Sequence, residues 1–185
     1  MDSQLQGILK RACKQSLLTN TRFHDFAHAL EVLENVKEIL RFEKGDEDIL
    51  FASALFHDLS KKSGDQEGID GAKFARQILQ SISEFPQNKI NDVCRLIESI
   101  NRPTETQDEL IINEADRMSI FSKLSIVRAF MIYGQQGIQP QVATEKFLEY
   151  IEKKYNNFKI SKAKELVKKD YEFIKKLLID INNKY

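Results

Sequence analysis

Residues 48–61, DILFASALFHDLSK, constrain this chain more than any other stretch. Ile49, Leu50, Ala52, Ala54, Leu55, Phe56 and Leu59 crowd two helical turns so densely that almost no polar face is left, which reads as a buried central helix. Into that apolar run the sequence sets His57 and Asp58 side by side. Both cost free energy in a dry interior unless they are paired or hold a metal.

The chain has 185 residues, enough for one domain with a sizeable core, and no stretch of it reads as a linker. Seven Gly and three Pro among many Leu, Ile, Lys, Glu, Ala and Gln favour an all-α domain. Lys plus Arg equal Asp plus Glu at 28 each, so there is no basic field to hold a nucleic acid. No run of about 18 apolar residues offers a membrane span. Cys13 and Cys94 lack metal-type or redox-type spacing and read as free buried thiols of a reducing compartment. These features together describe a cytoplasmic protein with neither nucleic acid nor membrane as a partner. A homodimer is compatible with them.

Apolar spacing predicts helices over residues 3–18, from about Asp25 to Phe42, from Asp70 to before Pro86, and from Ile90 to before Pro103. The stripe of the third of these is Phe74, Ile78, Leu79 and Ile82. The polar, glycine-bearing KKSGDQEGIDG reads as a loop beside His57 and Asp58. Two further helices, about 140–155 and 161–182, form a C-terminal packing hairpin.

Three positions elsewhere carry chemistry. His28 stands with Val32 and Val36 at steps of four, which turns an imidazole toward the buried stripe of its helix. His24 sits one turn earlier at the helix mouth, as a cap, a supporting group or an exposed residue. Asp116 falls between Ile112 and Ile120 at steps of four, so a carboxylate lies on an apolar face and needs a cation, either a metal or one of Arg117 and Arg128. Adjacent helical side chains diverge by ~100°, so His57 and Asp58 could take neighbouring corners of one ion, with His28 and Asp116 arriving from other helices. Two imidazoles and two carboxylates suit Mn, Fe, Co, Ni or Zn better than Mg. Lys61, one turn past Asp58, is either a phosphate contact or a solvated helix-end lysine.

The series His28, His57-Asp58 and Asp116 resembles the H...HD...D signature of the HD-domain metal-dependent phosphohydrolase superfamily. The segments HDFAHALEV, ALFHDLSK, PTETQDELIINEADRM and IVRAF are similar to those of an uncharacterised branch of it. The resemblance covers about residues 23–134, the core, and implies an all-helical bundle with His28, His57, Asp58 and Asp116 as ligands of one divalent ion. It implies a metal-bound water as nucleophile and a small phosphate ester, above all a nucleotide, as substrate. Asp58 and Lys61 are then the candidate catalytic residues, and Lys61, Arg128 and His24 the candidate substrate contacts. The dipeptide His24-Asp25 sits one turn too early to be the signature pair. No histidine follows His57, and Lys61 stands where some nucleotidases of the family carry Glu. These departures point to a single ion and leave Asp65, Glu67 and His24 as stand-ins for a general acid or base. They also keep open a module that has lost turnover and senses a phosphorylated ligand or mediates a protein contact.

Overall fold

The computed structural model describes residues 1–17, 25–60, 65–100 and 102–183. His24 and Lys61 lie outside the described residues. Those described form nine α-helices and one 3-10 turn, with no strand among them: α1 (Ser3–Leu17), α2 (Phe26–Ile39), α3 (Glu47–Phe56), α4 (Asp65–Gln80), α5 (Ile90–Ser99), α6 (Gln107–Ser119), α7 (Lys123–Gln135), α8 (Pro140–Asn156) and α9 (Ser161–Asn182). The all-α reading holds. Among the described residues no helix is long and apolar enough to cross a membrane.

Two compact units divide the chain, Met1–Asp116 and Arg117–Tyr185. In the first, α3 is the hub: every residue from Ile49 to Phe56 is buried, and α1, α2, α4 and α5 pack around it. A helix without a polar face gains stability only by being covered on all sides. Asp46 starts α3 by accepting from the backbone N–H groups of Asp48 and Ile49, and Lys89 holds that carboxylate from outside at 2.8 Å. In the second unit, α8 and α9 pack on one another, and Phe121, Tyr155, Phe158 and Tyr171 gather into an aromatic cluster with the two tyrosines stacked at 3.8 Å.

Three details differ from the sequence reading. The central helix does not run through to Lys61: it ends at Phe56, and His57 and Asp58 occupy the turn that follows. The imidazole of His57 gives the reason, since its Nδ1–H donates to the carbonyl of Ala54 at 2.9 Å, one of the four carbonyls a helix end leaves open. The segment from Asp65 to Gly71 is helix and not loop. Its glycines act as spacers rather than breakers: a Cβ on Gly71 would lie 3.2 Å from the carbonyl oxygen of His57, and one on Gly68 would lie 3.3 Å from the backbone of Glu98. Finally, Phe74 is exposed, because α4 turns its small residues Ala72 and Ala75, with Leu79, toward the core instead.

Candidate metal centre

Each member of the site is held by a local device. On α2, Asp25 is the N-cap, and its carboxylate accepts the backbone N–H of His28 at 2.9 Å, so the imidazole is carried by a fixed first turn. The Val32, Leu33 and Val36 stripe then buries the same side of the helix. His57 and Asp58 follow the end of α3, and Asp116 lies in the last turn of α6, next to the fully buried Ile111, Ile112 and Ala115.

The structure brings all four side chains together. His28 Nε2 and His57 Nε2 are 3.2 Å apart. Asp58 Oδ2 lies 3.1 Å from the first and 3.0 Å from the second. Asp116 Oδ1 lies 3.5 Å and 3.7 Å from the same two nitrogens. The tightest trio is His28, His57 and Asp58, whose donor atoms all fall within 4.8 Å of one another. An ion about 2.1 Å from each donor would set neighbouring donors about 3.0 Å apart in an octahedron and about 3.4 Å apart in a tetrahedron. The spacings among His28, His57 and Asp58 fall within that range, and the two to Asp116, 3.5 and 3.7 Å, lie just beyond it.

Protons give an independent test of fit. The Ala54 carbonyl can only accept, so Nδ1 of His57 carries the hydrogen, and in the neutral ring Nε2 presents a lone pair. That lone pair faces carboxylate oxygens and a second imidazole nitrogen, an arrangement that is repulsive unless a positive charge sits among them. The residues therefore fit a divalent cation. Burial works against charge on His28, yet its bonds to Asp116 and Asp58 prevail and push its pKa up to about 10. Burial likewise opposes charge on His57, and Asp58 outweighs it, raising that pKa too. Burial would raise the Asp116 pKa, but the two imidazoles hold its carboxyl below the ordinary range. The two raised imidazoles report the negative field of the carboxylates, and the lowered Asp116 reports the positive charge that the imidazoles would carry against it. The His57 side chain is 2% exposed, whereas those of Asp58 and Asp116 are 15% and 23% exposed.

An HD-domain family model matches residues 25–120, just over half of the chain. The chain belongs to the HD-domain family. Solved structures agree on the HD-domain fold along almost the full length. The Lin1889 protein of Listeria innocua is 24% identical with a TM-score of 0.74, over 98% of this chain and 96% of its own. YpgQ of Bacillus subtilis, in complex with ADP, is 19% identical with a TM-score of 0.76, over 98% and 95%. An HD-superfamily hydrolase of Bacillus thuringiensis is 16% identical with a TM-score of 0.71, over 96% and 95%. Comparison with curated proteins finds no match.

Arg117 donates from its guanidinium to the carbonyl of Asn157 at 2.7 Å and sits over the Phe158 ring. Arg128 is half-buried on α7 in the second unit. Two supporting residues escape a reading of the sequence. Asp25 belongs to the dipeptide set aside there, although an Asp three residues before an inward histidine is a capping signal. Asn35, whose amide reaches the carbonyl of Ala115, leaves no trace in a local pattern, because its partner is 80 residues away.

Proposed function

We propose that the protein is a metal-dependent phosphohydrolase acting on a small phosphate ester, a nucleotide first among the candidates. One divalent ion, of Mn, Fe, Co, Ni or Zn in preference to Mg, is held by His28, His57, Asp58 and Asp116. The observation that carries this reading is the lone pair of His57 Nε2 aimed at Asp58 and Asp116, beside a second inward imidazole. Membership of the HD-domain family supports the chemistry, and the ADP complex of YpgQ supports a nucleotide. A cytoplasmic location belongs to the same reading.

A divalent ion in this position lowers the pKa of a water molecule it holds and polarises a phosphoryl oxygen. The chain supplies the setting. The Ala54 carbonyl keeps His57 in the tautomer that leaves Nε2 free to ligate. Asp58 and Asp116 together offset the charge of a dication, so an anionic phosphate meets a site that is close to neutral. Burial of both imidazoles shields the ligating nitrogens from bulk water. Lys61 and Arg128 are assigned to the phosphate by their charge, and His24 to the substrate.

Elemental analysis of protein purified without chelator, followed by a phosphate-release screen over nucleotides and simple esters, tests this. About one equivalent of a transition ion together with release from at least one nucleotide is expected. A second reading, a module that senses a phosphorylated ligand, draws on the absence of any histidine after His57. Stoichiometric metal without turnover under any divalent ion would favour it and refute the enzyme. Absence of metal uptake would refute both.

A further inference from the structure

Asp116 stands in the last turn of α6. The helix ends at Ser119, and beyond it the backbone tightens into i to i−3 bonds, Phe121 N–H to Met118 O at 3.1 Å and Ser122 N–H to Ser119 O at 3.1 Å. Helix ends fray, whereas a metal ligand must hold its position to within a few tenths of an ångström. Asn35 meets that need. Its Nδ2 donates to the carbonyl of Ala115 at 3.0 Å, and that carbonyl belongs to the same planar peptide group as the nitrogen of Asp116. A bond to this oxygen therefore restrains the rotation of the very peptide from which the Asp116 side chain departs. A helical carbonyl has a second lone pair, so the bond costs α6 nothing.

The position of Asn35 on its own helix is equally specific. It follows His28 by seven residues, about 20° short of two full turns, so both side chains leave the same face of α2. One rigid helix thus presents an imidazole to the centre and, two turns on, a clamp to the helix that brings the opposing carboxylate. We propose that Asn35 is a positioning residue: it orients the Asp116 peptide from α2 and so sets the distance of that carboxylate from the two imidazoles. The inference rests on reading the cluster as a metal centre.

The test compares Asn35→Ala, Asn35→Asp and Asn35→Gln with wild type, using cobalt(II) as the probe. Alanine is the better helix former, so the first variant is expected to fold, and melting of the metal-stripped proteins checks this. Asn35→Asp keeps the shape but sets an acceptor against an acceptor. Removing such a supporting bond typically weakens metal binding about tenfold to a hundredfold. That loss is expected for Asn35→Ala and at least as great for Asn35→Asp, with a changed visible spectrum of the bound cobalt. Asn35→Gln keeps the donor on a longer arm and should recover part of the affinity. In the metal-stripped protein, amide exchange at residues 117–120 should quicken in the alanine and aspartate variants. Gln107→Ala, which cuts an exposed tie between the other end of α6 and Glu43, should leave cobalt affinity at the wild-type value. Wild-type affinity and spectrum in Asn35→Asp would overturn the inference while leaving the metal reading intact. A wild type that takes up no cobalt would overturn the metal reading, and this inference with it.

Discussion

Removing metal should reverse how the stability of this protein responds to pH. In chelator-treated protein the charge needed among Asp58, Asp116 and the imidazoles must come from protons, and the two carboxylates accordingly push the His28 pKa up to about 10. The unfolded value is 6.5, so the folded state binds the proton more tightly. A group raised in this way stabilises fully below its unfolded pKa and loses that contribution as pH climbs through the folded pKa. Three and a half pKa units correspond to roughly 5 kcal/mol, of which about 2–3 kcal/mol should be gone between pH 6 and pH 8.5. His57, raised as well, acts in the same direction. In a protein of this size the loss corresponds to a fall in melting temperature of about 5–10 °C. With saturating zinc or cobalt the trend inverts, because binding displaces protons and strengthens as they become scarce. Thermal melts at pH 6.0, 7.0, 8.0 and 8.5, with chelator and with metal, read both slopes. His28→Gln should flatten most of the chelated slope. A chelated profile that is level or rises with pH would refute the picture of a proton-filled cation site.

Three further outcomes are expected. Asp58→Ala should lower metal content and phosphate release together, whereas Lys61→Ala should keep the metal and lose about tenfold to a few hundredfold in kcat/KM, the roughly 1.5–3 kcal/mol of a charged hydrogen bond; elemental analysis beside steady-state kinetics separates them. Phe56→Ala removes a fully buried ring from the hub helix and should cost about 3–5 kcal/mol in urea unfolding. Asp46→Ala deletes the α3 cap and should cost about 1–2 kcal/mol at pH 7. The folded pKa of Asp46 is depressed, burial being outweighed by Lys89 and the capped N–H groups, so its contribution is present above the unfolded value of 3.8 and disappears as pH falls through the folded one. The wild-type and variant melting curves should therefore converge in acid.

The site shows in the sequence wherever polarity is misplaced. A His-Asp pair inside DILFASALFHDLSK and a lone Asp between Ile112 and Ile120 are costly in any fold that buries those faces, and cost is visible without coordinates. The supports are another matter. That Ala54 O takes the His57 proton depends on where α3 ends, and that Asn35 reaches Ala115 depends on two helices meeting across 80 residues. Glycine misled for a related reason: local propensity reads Gly68 and Gly71 as breakers, while tertiary packing uses them for close approach of α4 to α5 and to the His57 turn. Phe74 shows the same override, since the face that fits against a backbone is the small one and the ring is left outside.

The way α3 stops has a practical consequence for anyone seeking a sturdier variant. Lengthening helices with strong formers is an ordinary route to higher melting temperature, and the turn at residues 57–60 invites it. Here a continued helix would offer the Ala54 carbonyl a backbone N–H from Asp58 and put that donor in competition with the imidazole. The ring would then be free to rotate or to move its proton to Nε2, the atom that faces the centre. A helix-extended protein could thus melt later and yet bind metal worse, and library screens scored on thermal tolerance alone would select against the centre unless Leu59 and Ser60 were kept fixed.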